Sequence, residues 1–317
     1  MGDRVSVRRA GIASVQDLGR SGTARLGVSS NGAADAYSAR AANALLGNSP
    51  ANPLLEITAM PFTFSVSAGT TIAVTGAVAN VRVGGQPIGQ WRATTVPADA
   101  DIEIRDIRQG LRCYVGVRGR LDVPAFLGSV APDPALGFGA RLRRGDEIPF
   151  VPSPRQACME PELPDGFVAT YGDPATLPVC TGPEWDAFAG VRDEILRGAY
   201  VVDTRSNHVG IRLNGELPPL SMPGELTSRG VAIGAVELTP SEELIVLHRG
   251  RSITAGYPIL AVVTTAGLSV AGQLRPGDGV RFRLCSTGEA VEEHRLRQRM
   301  LDRVTAAASG RAHKEER

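Results

Sequence analysis

A short polar segment near the start of the chain contains the first candidate residues for chemistry. Residues 16–27, QDLGRSGTARLG, hold Arg20 among three glycines and contain hardly any hydrophobic side chain. Glycines let backbone N–H groups approach a ligand closely, and a guanidinium can hold a carboxylate through two parallel hydrogen bonds. We therefore take Arg20 as a candidate catalytic residue and Ser21 as a candidate substrate contact. The alternative is a structural loop in which Asp17 pairs with Arg20 or Arg25.

The segment that follows predicts a helix whose start could bind an anion. Residues 33–46, AADAYSARAANALL, have helical spacing, with Ser30 or Asn31 as the N-cap and a glycine directly after the end. Backbone N–H groups and the dipole at a helix start favour negative charge, which makes Asn31 a candidate substrate contact. Asp35 is a candidate catalytic residue that could orient those donors or Arg20. An acid in the first turn is also favourable without any function.

A second polar loop lies between two predicted strands in the other half of the chain. Its sequence is HRGRSITAGYP, residues 248–258, and it provides a cation, a hydroxyl and a phenol in Arg251, Thr254 and Tyr257. We take Arg251 and Tyr257 as candidate catalytic residues and Thr254 as a substrate contact, the alternative being a structural turn with a buried tyrosine. Arg205 is a weaker candidate contact, on a loop that would face the same cleft if the halves pack by pseudo-symmetry.

The elements that must position these loops are mostly strands. Glycine (37 residues) and proline (22 residues) are plentiful, which suits short strands joined by tight turns.

Glu56 is an acid in the apolar run LLEIT and should be paired, an arginine of the first loop being one candidate. A C-terminal helix is predicted after Ser286, which forms a capping box with Glu289. Runs with strand character occupy residues 62–67, 71–77, 80–85, 102–107, 112–117, 235–239, 243–248 and 259–265.

An internal repeat predicts the domain organisation. LRRGDEIPF at 142–150 and LRPGDGVRF at 274–282 both place a Gly-Asp turn before a strand that ends in an aromatic residue. Two tandem domains of similar β topology would produce this pattern. The predicted parts are a first β domain at 1–150, a proline-rich linker at 151–166, a second β domain at 167–288, and a C-terminal helix and tail at 289–317.

Composition excludes several classes of function. A net charge of +1 and an aromatic content of 5% argue against nucleic acid or an anionic membrane as a partner. The four cysteines include no CxxC and the four histidines do not cluster, so we predict no metal site and buried thiols. The start of the chain has no apolar signal region and no run reaches the length of a membrane span. These features predict a cytoplasmic protein.

Five blocks of the sequence together resemble one known family. They are SVQDLGRSGTARLGVSSNGAADAYSARAANALLGN (14–48), LLEIT (54–58), LDVPAFLGS (121–129), TAGYP (254–258) and AGQLRPGDGVRF (271–282). These blocks resemble the biotin-dependent carboxyltransferase-type family, which includes the C-type subunit of 5-oxoprolinase, allophanate hydrolase subunit 2 and the antagonist of a sporulation-kinase inhibitor. The resemblance runs from about residue 4 to about residue 290 and implies two tandem cyclophilin-like β-barrel domains.

The resemblance also implies an activity and partners. It implies a hydrolase complex that uses ATP on a small amide or lactam. The implied partner is a B-type subunit, similar to allophanate hydrolase subunit 1, in a heterotetramer that forms a small-molecule site. In such chemistry negative charge develops on oxygen, so arginines would bind and polarise that oxygen and hydroxyls would position it. No lysine lies in a Met-Lys-Met context and no phosphate-binding P-loop is present. We therefore expect no covalent cofactor here, and ATP at another component of the complex.

The later loops depart from the family pattern, which leaves a second interpretation open. Residues 206–210 read Ser-Asn-His-Val-Gly where members usually carry Ser-Asp-Arg-Met-Gly, and Glu237 stands where a glutamine is usual. Because shared fold does not ensure shared activity, the alternative is a non-catalytic regulatory binding protein of the kinase-inhibitor-antagonist type.

Overall fold

The chain divides into two compact units, each assembled from separate stretches of sequence. The computed structural model describes residues 2–153, 161–219 and 226–310. The predicted linker at 151–166 and the predicted tail lie partly outside these ranges. The first unit comprises Met1–Arg20, Ala36–Thr170 and Leu296–Arg317, and the second comprises Ser21–Asp35 and Tyr171–Arg295.

The units therefore differ from the division predicted at 1–150 and 167–288. Residues 21–35 group with the second unit because Asn31 and Asp35 hydrogen-bond to residues far along the chain in that unit. The end of the C-terminal helix groups with the first unit, where the Arg297 guanidinium lies 5.3 Å from the centre of the Tyr37 ring. A linear repeat shows that two similar parts exist, but not which loops each part includes.

The first unit is a curled ten-stranded sheet with one short helix. Two pairs of predicted runs, 71–77 with 80–85 and 102–107 with 112–117, each form one long strand. Its elements are β1 Arg4–Arg9, β2 Ile12–Gln16, α1 Ala36–Leu45, β3 Leu54–Thr58, β4 Phe62–Val66, β5 Thr70–Val83, β6 Gln86–Ile88, β7 Ala93–Val96, β8 Ile102–Val117, β9 Gly119–Leu121 and β10 Glu147–Pro152.

The core of the first unit forms where β5 pairs antiparallel with β8. The inward side chains are apolar, and Ile57, Phe64 and Ile72 are fully buried. The helix α1 is rich in alanine, which lets it pack closely on the sheet. At Gly116 in β8 a Cβ atom would lie 2.9 Å from Cδ1 of Leu46, just after α1, so only glycine fits without a shift. The helix begins at Ala36, three residues after the predicted start at residue 33, so Ser30 and Asn31 do not stand at its N-cap.

The second unit is built around a closed barrel of seven strands in the order β11-β18-β15-β16-β13-β12-β19. Two further short strands, β14 and β17, pair with each other. The elements are β11 Ala175–Thr181, α2 Arg192–Arg197, β12 Tyr200–Val202, β13 Gly210–Asn214, β14 Arg229–Gly230, β15 Ala235–Leu238, β16 Leu244–Leu247, β17 Thr254–Ala255, β18 Ile259–Val263, α3 Thr265–Ala271, β19 Gly279–Leu284 and α4 Thr287–Ala308. The mainly β prediction is confirmed.

The repeat predicted from the sequence has the same local geometry in both units. In the first, the carboxylate of Asp146 accepts a hydrogen bond of 2.7 Å from the backbone N–H of Arg143. In the second, Asp278 accepts one of 2.8 Å from the N–H of Arg275. The glycine before each aspartate has a positive φ, 93° and 94°, which side chains strongly disfavour. Each turn leads directly into a strand, β10 or β19.

The C-terminal helix begins as the capping box predicts. Ser286 Oγ accepts a hydrogen bond of 3.2 Å from the N–H of Glu289, and the Glu289 carboxylate accepts one of 2.7 Å from the N–H of Ser286. The two bonds satisfy donors that have no partner inside the helix. Within the described ranges, no helix combines the length and the apolar character needed to cross a membrane.

Candidate functional site

Arg20 is fixed inside the first unit by backbone carbonyls. It follows β2, is 1% exposed, and donates from Nε to the carbonyl of Phe126 at 3.0 Å and from Nη2 to the carbonyl of Ala131. The guanidinium lies against two rings, 5.5 Å from the centre of Phe126 and 5.3 Å from that of Phe138. Burial lowers the pKa of Arg20, while Asp133 and Asp17 oppose that change.

Asp17 holds the same loop from the other side. Its Oδ1 accepts hydrogen bonds from the N–H of Gly19 at 2.8 Å and from Ser129 Oγ at 2.6 Å, and its Oδ2 accepts one from the N–H of Val130 at 2.9 Å. Asp17 and Arg20 therefore both hold the loop around residues 126–131, which agrees with a structural role for this segment. The hydrogen bonds of Asp17 go to that loop and to Gly19, where the alternative expected a pair with Arg20 or Arg25. Ser21 is exposed. The catalytic role of Arg20 and the contact role of Ser21 stay predictions.

Asn31 and Arg251, predicted from separate stretches, lie on two hydrogen-bonded segments of the second unit. The backbone N–H of Asn31 donates to the carbonyl of Arg249 at 3.0 Å. Ser29 Oγ donates to the carbonyl of Arg251 at 2.6 Å. Asn31 is buried and has a φ of 49°, a left-handed conformation that asparagine tolerates better than most residues. The segment with Ser29 and Asn31 therefore supports the loop that carries Arg251.

Arg251 is a buried cation, and not all of its guanidinium N–H groups donate hydrogen bonds to the described residues. The residue is 9% exposed, and its Nε donates to the carbonyl of Val231 at 3.0 Å. Among the described residues its Nη1 makes no hydrogen bond. Burial lowers the pKa of Arg251. A desolvated guanidinium of this kind can bind a carbonyl or carboxylate oxygen strongly, because water does not compete for it.

Thr254 and Tyr257 continue the loop from Arg251 toward solvent. Thr254 lies in β17, where its backbone pairs with Gly230 of β14, and its side chain is exposed. Tyr257 is 42% exposed, which differs from the alternative of a buried structural tyrosine. A threonine hydroxyl and a tyrosine phenol at a surface can contact a ligand, and both roles stay predictions.

Asp35 lies in the interior of the second unit. It is fully buried, and its Oδ2 accepts hydrogen bonds from the Tyr171 hydroxyl at 3.1 Å and from Gln273 Nε2 at 2.9 Å. A Cβ at Gly272 would lie 2.5 Å from the carbonyl oxygen of Ala34, so the chain packs tightly here. These contacts place Asp35 where it can position the preceding segment, including Asn31.

Arg205 belongs to an ion-pair network at the surface of the second unit. Its Nε lies 2.9 Å from Asp203 Oδ1, and its Nη2 donates to Asp203 and to Glu243. Hydrogen bonds from Arg205 hold the pKa of Asp203 well below its usual range. Much of the guanidinium's donor capacity is therefore engaged by carboxylates of the same unit, and a substrate would have to compete with them.

Two acids in apolar strands have different environments. Glu56 in β3 accepts a hydrogen bond of 2.9 Å from the Tyr114 hydroxyl and lies 3.8 Å from Arg112 Nε, both on β8. Glu237 in β15 is 3% exposed, and its Oε1 makes no hydrogen bond among the described residues. Burial raises the pKa of Glu237 to about 7, with Arg229 acting in the opposite direction.

Sequence reasoning did not identify the cluster around Glu237 as a candidate site. Arg229 Nη2 donates to Glu184 Oε2, which also accepts a hydrogen bond of 2.8 Å from the N–H of Ile259. Burial alone would raise the pKa of Glu184, but these hydrogen bonds lower it overall. Only the acid within the run AVELT could have indicated this cluster from the sequence, because Glu184 lies in a loop more than 50 positions away and Arg229 lies on a different strand, β14.

Replacing Glu237 by glutamine is expected to stabilise the protein by about 2.5 kcal/mol more at pH 8 than at pH 5, since one pKa unit corresponds to about 1.4 kcal/mol. With a folded pKa of about 7, Glu237 keeps its proton when an unfolded glutamate has lost it. Wild-type stability therefore falls as pH rises from about 4.3, the unfolded value, to about 7, and stays level above that. Urea unfolding at both pH values measures the difference. Glu216→Gln, at an exposed position, should leave the unfolding free energy unchanged at both pH values. If Glu237→Gln stabilised the protein equally at pH 5 and pH 8, the raised pKa assigned to Glu237 would be wrong.

Within residues 2–153, 161–219 and 226–310, no group of three or more histidine, cysteine, aspartate or glutamate side chains could hold a metal ion. The two β units have the fold of a carboxyltransferase-type domain. The family model described as carboxyltransferase domain, subdomain A and B, matches residues 26–284, and the chain belongs to this family.

Relatives and solved structures agree with this assignment. The chain is 30% identical to the C-type subunit of 5-oxoprolinase from Escherichia coli over 308 residues, covering 95% of this chain and 97% of that protein. It is also 30% identical to urea amidolyase of Saccharomyces cerevisiae, covering 85% of this chain but 16% of that protein. The crystal structure of the K. lactis urea amidolyase superposes with a TM-score of 0.84 at 26% identity, covering 95% of this chain and 20% of that one.

Proposed function

We propose that this chain is one subunit of an ATP-dependent complex that acts on a small amide or lactam, of the 5-oxoprolinase type. The similarity to the C-type subunit of 5-oxoprolinase supports this, because it extends over nearly the whole of both proteins. In urea amidolyase the similar region is a small part of a longer chain. A match to a separate subunit in one relative and to a region of a longer chain in the other favours a domain that works with further catalytic domains. Those domains can be separate subunits or parts of the same polypeptide.

The substrate chemistry shared by these relatives is the amide group. Urea and 5-oxoproline both carry a carbonyl bonded to nitrogen, and negative charge develops on the carbonyl oxygen or on a transferred carboxyl group when such a bond reacts. Preorganised donors aimed at that oxygen lower the barrier most. The observation that carries the proposal is the buried Arg251 guanidinium, whose Nη1 makes no hydrogen bond among the described residues.

In this proposal Arg251 binds and polarises the oxygen, and Asn31 and Ser29 maintain the loop that carries it. Tyr257 and Thr254 contact the rest of the small molecule from the exposed side of the loop. ATP binds to another component of the complex, and the expected direct partner is a B-type subunit. The roles of Arg20 and Asp35 in this scheme are to position loops.

A reconstitution experiment tests the proposal. The full chain is co-expressed with its B-type partner and the lactam-opening component, and loss of 5-oxoproline is followed with and without ATP. We expect ATP-dependent turnover that disappears when this chain is left out. The E. coli complex with its own C-type subunit serves as the positive control. Stable assembly with the B-type partner but no turnover would overturn the catalytic proposal and favour the regulatory alternative.

A further inference from the structure

Two cysteines of the second unit lie side by side at the end of a strand pair. Cys180 is in β11, and Cys285 directly follows β19. These strands run parallel, and the last pair in their register is Val179 with Leu284, so the cysteines occupy the next position on each strand. The N–H of Cys285 donates to the carbonyl of Val179 at 2.9 Å, which continues the ladder. The two Sγ atoms are 4.0 Å apart.

This placement allows a disulfide without movement of the backbone. Neighbouring strands lie about 4.8 Å apart, which falls within the range of Cα separations of about 4.4–6.8 Å found across disulfides. The Sγ atoms must approach each other to about 2.05 Å, which rotation of the two side chains can supply. Both backbones are held in the barrel by ladder hydrogen bonds, so the two thiols stay close to each other.

The two thiols differ in access and in reactivity. Cys180 is half-buried, whereas Cys285 is 9% exposed. Burial raises the pKa of the Cys285 thiol, with Cys180 adding to that effect, Arg283 opposing it and Glu289 adding a little. Because a thiolate is the attacking species, a reagent from solvent should react first at Cys180, and Cys285 should follow.

We propose that Cys180 and Cys285 form a modification site at which a low-molecular-weight disulfide, such as oxidised glutathione, introduces an intramolecular cross-link. The Cys180 thiolate attacks one sulfur of oxidised glutathione and releases one glutathione as the thiolate. Cys285 then loses its proton and attacks the Cys180 sulfur, releasing the second glutathione. The two protein thiols are oxidised by two electrons, and one oxidised glutathione is reduced to two thiols.

The cross-link would connect β11 to the start of the C-terminal helix. Cys285 directly precedes Ser286, whose side chain caps that helix. The bond would also join residues 105 positions apart, a long loop whose closure restricts the unfolded chain. Oxidation is therefore expected to tighten the beginning of α4 against the barrel and to raise the melting temperature of the second unit.

Peptide mapping of the oxidised full-length protein tests this inference. Native protein is incubated with oxidised glutathione, remaining thiols are alkylated, and the digest is analysed by mass spectrometry. We expect a peptide pair linked through Cys180 and Cys285 that a reducing agent separates. Cys285→Ser should instead leave glutathione attached at Cys180, because the resolving thiol is gone. Cys158→Ser is the matched control and should form the same link as wild type.

Three results would overturn the proposal. They are glutathione retained on wild-type Cys180 without a link, a link that includes Cys158 or Cys113 instead, and failure of both Cys180 and Cys285 to react. The test does not depend on enzymatic activity, so its outcome is separate from that of the proposed function.

Discussion

Arg251→Met is expected to lower kcat/KM of the reconstituted complex by about 100-fold or more, the loss typical of removing one preorganised oxyanion donor. Methionine fills similar space but removes every donor and the charge. The side chain is 9% exposed, so water cannot replace the guanidinium efficiently. Turnover of 5-oxoproline, with ATP in excess, measures the loss. If Arg251 acts mainly in the transition state, kcat should fall with little change in KM.

Controls separate this chemical role from a structural one. Arg25→Met changes an exposed arginine and should leave activity within about 2-fold of wild type, as surface substitutions usually change little. Arg251→Lys keeps the charge but loses the fork of donors, and should recover part of the activity. Activity of Arg251→Ala should rise when guanidinium is added at concentrations that do not unfold the protein. Wild-type turnover in Arg251→Met would show that the oxygen binds elsewhere.

Features set by local sequence could be predicted well. The Gly-Asp turns at 145–146 and 277–278 depend on residues within four positions of each other, and both form the expected geometry. The capping box of α4 is equally local. The strands were also predictable, although a bulge between Gly76 and Val78 lets one long strand look like two separate runs.

Features set by distant contacts could not be predicted. The carbonyls that Arg20 holds are 106 and 111 positions away, and no pattern near Arg20 indicates whether it meets a ligand or the protein itself. The same limit applies to Asp35, whose partners include Gln273, 238 positions away. The sequence identified polar, glycine-rich loops. Only the fold distinguishes the buried Arg251, whose Nη1 makes no hydrogen bond among the described residues, from Arg205, which donates to two acids.

Arg20→Met is expected to cost the first unit about 4 kcal/mol of unfolding free energy, because two buried carbonyls lose their donor and two acids lose a nearby cation. The contacts with Phe126 and Phe138 are also lost, and these hold the loop that Asp17 fixes through Ser129 and Val130. Arg20→Lys should cost nearly as much, since one ammonium on a flexible stem cannot reproduce the planar fork.

The two tryptophans allow this loss to be assigned to one unit. Trp91 lies buried in the first unit and Trp185 lies in the second, so in a Trp185→Phe background the fluorescence reports on the first unit alone. Urea unfolding followed by Trp91 emission should shift to a clearly lower midpoint in Arg20→Met, while Arg25→Met stays at the wild-type midpoint. If the midpoint does not move but activity of the complex is lost, Arg20 acts on substrate and the structural role assigned to it here is wrong.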